Sequence, residues 1–509
     1  MFIFVLICVS LLVLSLYNSF LITTTTISSS SGVPLIQFPV FLEPHRHTVP
    51  LLTVTRPYQL KSVPETQFTV SDWPWTSISS TTTRDEPTRT ASVQSQSSPP
   101  PLIHIVHTRF MQEQSHLLAL GRARLALFRT VCLPTMRQQS TTEFLWIVRT
   151  DPNLPVAFLA QLQQWLAPYP HMFLVASNIN FRINAHFPGA WRGGAQARDL
   201  RQSLIYTGNQ TLLELALQLQ DRMTVLETRL DADDGLELDA LATIQERARR
   251  TFFSSSSNDA ASSSRTSHFE PSMVKWMYWC TRRDLEWHWT MPVEELSMAK
   301  GIGDPPLKAL EAVSPQEMDP EKFNQNDQNN NQALLSFGIL NAVLQPKLCV
   351  TPGLTVGFAV GIAEAEVPIY AHDQLVIKMG QMPIDQACGL PMAADCLQFL
   401  DDPYHHADRV HDQQPAASSS LSLLFTGIRS RTPTSAGMLH VRSPDEETLL
   451  QSNQGWYRQF ALWELAQSKF GLDRMALEWM NAYISQHLLE IAQDNLRGQC
   501  TSGHSCKVR

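Results

Sequence analysis

Met223-Thr-Val-Leu-Glu-Thr-Arg-Leu-Asp231-Ala-Asp233-Asp234-Gly235 is the stretch whose reading decides the fold. An apolar run reaches Leu230 and reads as a buried strand from Met223 to Leu230. Three carboxylates then crowd between Asp231 and Asp234. Like charges this close repel one another unless a cation or strong donors sit among them. Gly235 breaks the chain, and helical spacing resumes over Leu236 to Arg250.

Working upstream, the same alternation of strand and helix recurs. Leu102-Ile-His-Ile-Val106 reads as a first strand, and Ser115 to Gln139 as a helix with leucines at helical spacing. Phe144 to Val148 is a second buried strand running into Arg149-Thr-Asp151. Pro155 to Leu166 starts as a helix should, with proline first. Met172 to Val175 is a third strand, followed by a glycine-containing loop and helices near Ala195 to Tyr206 and Thr211 to Gln220. Such alternation predicts an α/β fold with a mostly parallel sheet flanked by helices. Ligands of such sheets bind beyond the carboxyl ends of the strands. Thr108, Arg109, Asp151 and the acids from Asp231 to Asp234 all follow strands and are expected on one rim.

Downstream, the alternation is interrupted twice. Low-complexity insertions stand near 254–267 and 303–332. Val274 to Cys280 and Leu285 to Trp289 read as an aromatic-rich hairpin. Its tryptophans offer either a platform for sugar rings or a packed sheet face, the second being the default. Order resumes over 333–344 and 349–358. Ala371-His372-Asp373-Gln374 and the apolar run into Arg429-Ser-Arg431 follow. The main folded domain is expected over 101–445. The remainder, 446–509, reads as a helical extension with aromatic and leucine stripes.

The bulk numbers bound the partners. The 509 residues are 43% hydrophobic, enough for a sizeable core, and carry a net charge of −8. No Lys/Arg-rich block is present, so no nucleic acid is expected as partner. Met1 to Ile22 contains no charged side chain. At helical rise it covers roughly 30 Å, a bilayer core. It is expected to be an uncleaved signal anchor; a cleaved signal peptide, which would leave the chain secreted, is the alternative. Residues 23–100 are Ser-, Thr- and Pro-rich and are expected to be a disordered stem. Short apolar patches at Leu35 to Leu42 and Leu51 to Val54 are candidates for docking. There are eight cysteines. Cys388 with Cys396 and Cys500 with Cys506 could close short loops in an oxidising lumen. Asn209-Gln210-Thr211 is a glycosylation sequon.

On an extended chain, residues i and i+2 point the same way, so Asp231 and Asp233 would present two carboxylates together. Two hard oxygens beside open positions suit Mg²⁺ or Mn²⁺, with phosphate oxygens and water filling the shell. An EF-hand is ruled out because Leu236 stands where its loop needs glycine. A glycosidase pair is disfavoured, because its carboxyl groups stand roughly 5–9 Å apart across a cleft.

Ile103 to Phe110, Leu133 to Gln139, Arg229-Leu-Asp-Ala-Asp-Asp-Gly235, Thr351 to Thr355 and Arg431 to Met438 together resemble GT-A type glycosyltransferases. More narrowly, the chain resembles the rhamnosyltransferase-like family among them. The resemblance implies a GT-A-like, Rossmann-like domain and a nucleotide-sugar donor. It implies a glycan or glycoprotein acceptor, and Mn²⁺ or Mg²⁺ as cofactor. Asp151 would meet the nucleobase, and Thr108 and Arg109 would line the nucleotide pocket. Arg198 would help hold the donor, although Asp199 follows it where the family carries Asn. Arg229 and Asp231 would contact the donor, Asp231 and Asp233 the metal, and His372 would be a third metal ligand. Arg429 or Arg431 would clamp the diphosphate. No Glu-Asp pair stands where many inverting relatives carry one. Asp284, Glu286 and Asp373, with His372, are left as base candidates. The implied setting is a type II membrane protein of the Golgi or ER lumen, anchored by Met1 to Ile22. A catalytically inactive lectin-like relative is the alternative, though both acids of the motif are retained.

Overall fold

Nine consecutive residues, Leu102–Phe110, form β1, the strand around which a computed structural model of the chain is laid out. The structure describes residues 56–60, 68–75, 101–177, 200–253, 274–289, 338–344, 347–350, 352–362, 367–368, 370, 372, 374–383, 388–401, 426–434 and 453–501. The strands that follow are β2 (Leu145–Thr150), β3 (Met172–Ala176), β4 (Leu204–Ile205), β5 (Thr224–Arg229), β6 (Gly235–Leu236), β7 (Trp276–Cys280), β8 (Arg283–His288), β9 (Ile339–Leu344), β10 (Leu354–Phe358), β11 (Leu397–Phe399) and β12 (Gly427–Arg431). The helices are α1 (Leu118–Leu127), α2 (Leu133–Arg137), α3 (Val156–Leu166), α4 (Gln210–Leu219), α5 (Ala240–Phe253), α6 (Leu375–Gln381), α7 (Asn453–Phe470), α8 (Arg474–Gln486) and α9 (Leu488–Thr501).

Eight strands make the larger sheet, in the order β11-β7-β10-β5-β1-β2-β3-β4. Neighbours β5, β1, β2 and β3 are parallel, while β10 and β4 run against them. All six residues of β2 and all five of β3 are buried. Parallel strands covered by helices on both faces need such unbroken apolar runs. From β1 the chain adds β2 and β3 on one side and then crosses to place β5 on the other. That reversal opens a crevice between the carboxyl ends of β1 and β5.

The predicted alternation holds, with local corrections. The helix expected over Ser115 to Gln139 starts at Leu118 and passes through a π turn, Phe128–Cys132, before α2. Pro134 has no N–H to donate, so the regular ladder cannot run through that point. The free N–H groups of Ala119 and Leu120 at the start of α1 donate to the Asp494 carboxylate of α9, at 2.9 and 3.3 Å. Leu204–Ile205, expected within a helix, pairs antiparallel with β3 instead. Gly235 and Leu236 form β6, and the helix expected from Leu236 begins at Ala240. A Cβ at Gly235 would stand 2.8 Å from Thr135 and 3.0 Å from Ile428, so the close approach needs glycine.

The expected hairpin of β7 and β8 is also corrected. β7 pairs with β10 and β11 in the large sheet, whereas β8 pairs with β9 and β12 in a second sheet, ordered β6-β12-β8-β9. Trp276, Trp279 and Trp287 are all essentially buried, as a packed sheet face requires and a sugar platform does not. One face of the second sheet carries Leu285, Trp287, Leu340 and Ile428. These pack against Leu462, Trp463 and Phe470 of α7 and Leu477, Met480 and Ile484 of α8. Each such fully buried side chain contributes roughly 1.5–3 kcal/mol. The carboxy-terminal helices are therefore the apolar cover of the second sheet.

Part of the expected stem is ordered on the large sheet. Tyr58 exchanges backbone bonds with Ile205 at 2.9 Å, extending the β4 edge. Leu60 and Trp73 are buried, and the Trp73 indole donates to the Leu102 carbonyl at 3.2 Å. The apolar side chains of these two residues find a socket that composition alone does not reveal. The anchor Met1 to Ile22, the patches at 35–42 and 51–54, and the insertions at 254–267 and 303–332 lie outside the described residues. Among the described residues no helix is long and apolar enough to cross a membrane. Disulfides join Cys280 to Cys349 and Cys388 to Cys396, the second as expected. Cys132 is a buried free thiol, and Cys506 lies outside the described residues.

Candidate functional site

The site is built where β5 ends. Leu230 N–H donates to the His107 carbonyl at 3.0 Å, and Gly353 N–H to the Arg229 carbonyl at 3.1 Å. These bonds carry the sheet ladder to its rim from both sides. The chain then turns, closed by Asp234 N–H donating to the Asp231 carbonyl at 3.1 Å. The acids thus occupy a turn rather than the extended chain expected for them. Their differences come from their partners, not from a period of two.

Asp231 is gripped by Arg229, with Nη2 at 3.0 and 3.2 Å from its two carboxylate oxygens and Nε at 3.3 Å. Burial works against its ionisation, but Arg229 first, then Arg429 and His372, outweigh it and hold the carboxyl below its ordinary range. Asp233 is pushed the other way, by burial and by the charge of Asp231, against the pull of Arg124 and Arg429. Asp234 is buried and pushed well up by desolvation and Asp233, and accepts the Ser430 N–H at 3.2 Å. It ties the acidic turn to β12.

Guanidinium groups ring these acids. Arg109 of β1 stands in register with Arg149 of β2, and His107 with Arg229 of β5. In-register parallel neighbours point to one face, so Arg109, Arg149 and Arg229 share a side of the rim. Burial and the neighbouring Arg229 lower the Arg109 pKa, opposed by Asp231 and Glu113. Beneath them His107 Nε2 lies 3.4 Å from the buried Glu227 carboxylate. Arg124 of α1 reaches over from the helix layer. It donates to the Thr434 carbonyl at 3.2 Å and feels Asp233 and Asp231. Nothing in the spacing of α1 singles Arg124 out, and Arg149 reads as the end of an apolar strand. Both were missed by sequence reasoning. Convergent guanidinium groups fit phosphate oxygens.

The second sheet contributes a polar face. Asp284, Glu286 and His288 alternate along β8 with the buried Leu285 and Trp287, and face Arg429 and Arg431 of β12. Glu286 accepts from Arg431 Nε at 2.7 Å and from His288 Nε2 at 3.2 Å. Burial opposes its charge, but these partners hold its carboxyl at about 2. Asp284 is fully buried and pushed up to about 7, by desolvation first, against the pull of Arg429. Arg429 Nη1 stands 3.9 Å from the Asp284 carboxylate.

Of the residues singled out earlier, Arg109 and Arg229 stand at the carboxyl ends of β1 and β5, Asp151, Asp231 and Asp233 in the turns that follow β2 and β5, and His372 is within electrostatic reach of Asp231. Asp151 accepts the Asn153 N–H at 2.8 Å in a turn after β2. Thr108 is corrected: it points to the opposite face from Arg109, buried, with its hydroxyl accepting the Trp146 indole N–H at 2.8 Å. Arg431 is engaged by Glu286 on the second sheet, while Arg429 is the arginine nearer the acids. Arg198 and Asp373 lie outside the described residues. Among the described residues no group of three or more His, Cys, Asp or Glu side chains is arranged to hold a metal ion. A cleft of about 900 Å³, lined by Glu143, Gln245, Arg249, Val274 and Met277, lies at the amino ends of β2 and β7, away from the acids.

The β1 and β2 ends, with Arg109, Arg149 and Asp151, fall within a segment of known kind. Residues 106–185 match the family described as "Putative rhamnosyl transferase". This supports a rhamnosyltransferase-like family and, at the coarse level, glycosyl transfer. The segment matched to the rhamnosyl transferase family spans β2, β3 and α3, and ends before the acids at 231–234. No curated protein matches the chain.

Proposed function

We propose that the chain is a GT-A type glycosyltransferase that moves a sugar from a nucleoside-diphosphate sugar to a glycan or glycoprotein hydroxyl. One observation carries the reading: the reversal of strand order between β1 and β5 lies beside Arg109, Arg149, Arg229, Asp231 and Asp233. A crevice of that kind with guanidinium groups on its rim suits a diphosphate. The rhamnosyl transferase match supports the same substrate class, with rhamnose as the first donor sugar to test.

Asp231 and Asp233 would hold Mn²⁺ or Mg²⁺, with His372 as a further ligand. The donor set suits this: burial and the charge of Asp231 push Asp233 toward protonation, which a divalent cation reverses. Two carboxylates with phosphate oxygens and water complete a hard-ion shell. When bound, the ion would supply charge neutralisation at the leaving diphosphate. Arg109, Arg149 and Arg429 would orient that diphosphate, and Asp151 would meet the nucleobase.

Met1 to Ile22 would anchor the chain as a type II membrane protein of the Golgi or ER, its catalytic part luminal. The two disulfides support an oxidising compartment. The test is nucleotide release by the purified luminal part from a panel of nucleotide sugars, dTDP-rhamnose included, with Mn²⁺ or with EDTA. Release that EDTA abolishes is expected. Release that ignores EDTA removes the metal role. Binding without turnover points instead to the lectin-like alternative.

A further inference from the structure

Three ionisable residues alternate along β8, and two of them are joined by a hydrogen bond. Glu286 and His288 are bonded to each other, and Glu286 also to Arg431. Both carboxylate oxygens of Asp284 are buried and accept no hydrogen bond. A buried carboxylate without donors is costly and rare in a folded chain, and such sites are enriched in function. We infer that Asp284 takes the proton of the acceptor hydroxyl, and that the polar face of the β6-β12-β8-β9 sheet is where the acceptor sugar lies.

The inference rests on the transfer reading above and names the residue and surface that the acceptor would meet. The opposite face of this sheet is sealed by Leu285, Trp287 and Ile428 against α7 and α8, so a substrate can meet Asp284 only from the polar face, where Asp284, Glu286 and His288 are themselves buried. Arg429 joins the two halves of the site: its charge is felt by Asp234 and Asp231 on the donor side and by Asp284 and Glu286 on this side. Its side chain is 22% exposed and stands 3.9 Å from the buried Asp284 carboxylate. The environments of the two β8 carboxyls drive them apart. Asp284 is pushed up to about 7 and Glu286 held at about 2. Such divergence marks one group as the proton carrier and the other as a fixed charge. The groups that face Asp284 are Gly427, Arg429 and Arg431 from β12, Glu286 from its own strand, and the apolar Val343 in register from β9.

The step balances as a direct displacement. The acceptor O–H gives its proton to a carboxylate oxygen of Asp284. The acceptor oxygen bonds to the anomeric carbon, the bond from that carbon to the diphosphate breaks, and its electron pair leaves with the nucleoside diphosphate.

The test uses the full chain, with methyl glycosides as acceptors and UDP-, GDP- and dTDP-sugars as donors. Asp284→Asn is expected to lower nucleotide release by about 10²–10⁴-fold, the usual worth of a positioned base. Calorimetric affinity for UDP, GDP or dTDP should change by less than about threefold, since only the chemical step is touched. In the wild type, release should fall as pH drops through about 7, where Asp284 takes up a proton. Arg429→Gln removes the cation that favours the carboxylate, so that acid limb should move upward. Asp284→Glu should recover part of the rate. Unchanged release by Asp284→Asn overturns the inference while leaving the transfer reading intact. If Asp284→Asn does not fold, an acid limb that Arg429→Gln leaves in place does the same. A chain that binds none of these nucleotides overturns both.

Discussion

Arg229 and Asp231, two residues apart, form an ion pair in which Nη2 lies 3.0 Å from the nearer carboxylate oxygen. The last residue of β5 therefore neutralises the first acid of the turn that follows. The pair opposes the desolvation that raises the Asp231 pKa and is the largest of the interactions that hold the carboxyl below its ordinary range.

Arg229→Gln should therefore weaken nucleotide binding and leave Asp231 facing Asp233 without its partner. The cost to stability is expected to be about 1 kcal/mol, low because the Asp231 side chain is 36% exposed. Urea denaturation and nucleotide calorimetry, run on the same preparation, read the two effects separately.

Asp233→Asn removes a charge that burial and Asp231 both disfavour. The variant should melt at or above the wild-type temperature while nucleotide release drops to background. Normal release by a folded Asp233→Asn chain would remove Asp233 from the site.

Trp73 belongs to the core although it lies 28 residues before the Ser/Thr/Pro-rich region ends at Pro101. Trp73→Ala should cost about 3–5 kcal/mol, the usual price of emptying a large buried aromatic site. It also strands the Leu102 carbonyl that the indole serves. Cutting the chain at residue 100 should destabilise it in the same direction. A denaturation midpoint unchanged by either alteration would show that the segment does not dock.

His104 is fully buried between Thr228 and Gln245 and its pKa is driven down to about 3 by desolvation. Its pKa in the unfolded chain is near 6.5. Below that value the unfolded state binds a proton that the folded state refuses, so stability is lost as pH falls from 6.5 toward 3. The slope from this residue approaches about 1.4 kcal/mol per pH unit. His104→Gln should flatten that slope, as measured by denaturation between pH 7 and 4.

Much of the large sheet was legible in sequence. β2 and β3 are apolar runs of strand length between helix signals, and burial on both faces leaves few other ways to place them. The acids at 231–234 were legible as a site because clustered carboxylates after such a strand have no packing purpose. Other features were hidden. Leu204–Ile205 is too short to show a period, and becomes a strand only because β3 offers an edge. Arg124 is one of two arginines on α1 and gains meaning from its electrostatic reach to Asp233 and Asp231. Thr108 was assigned to the pocket by adjacency to Arg109, but alternate residues of a strand face opposite ways.

By itself the sequence determined the alternation of strands and helices, the acids that end β5, and the charged residues that close β1 and β2. Those are local properties, carried by hydrophobic period and residue type. Only the tertiary structure decided that β5 crosses to the far side of β1, that β7 and β8 part into two sheets, and that Arg429 links Asp234 with Asp284. The reason is physical: which strand edges pair, and which charges then share a buried space, depends on contacts between residues far apart in the chain, as between Asp234 and Ser430, separated by 196.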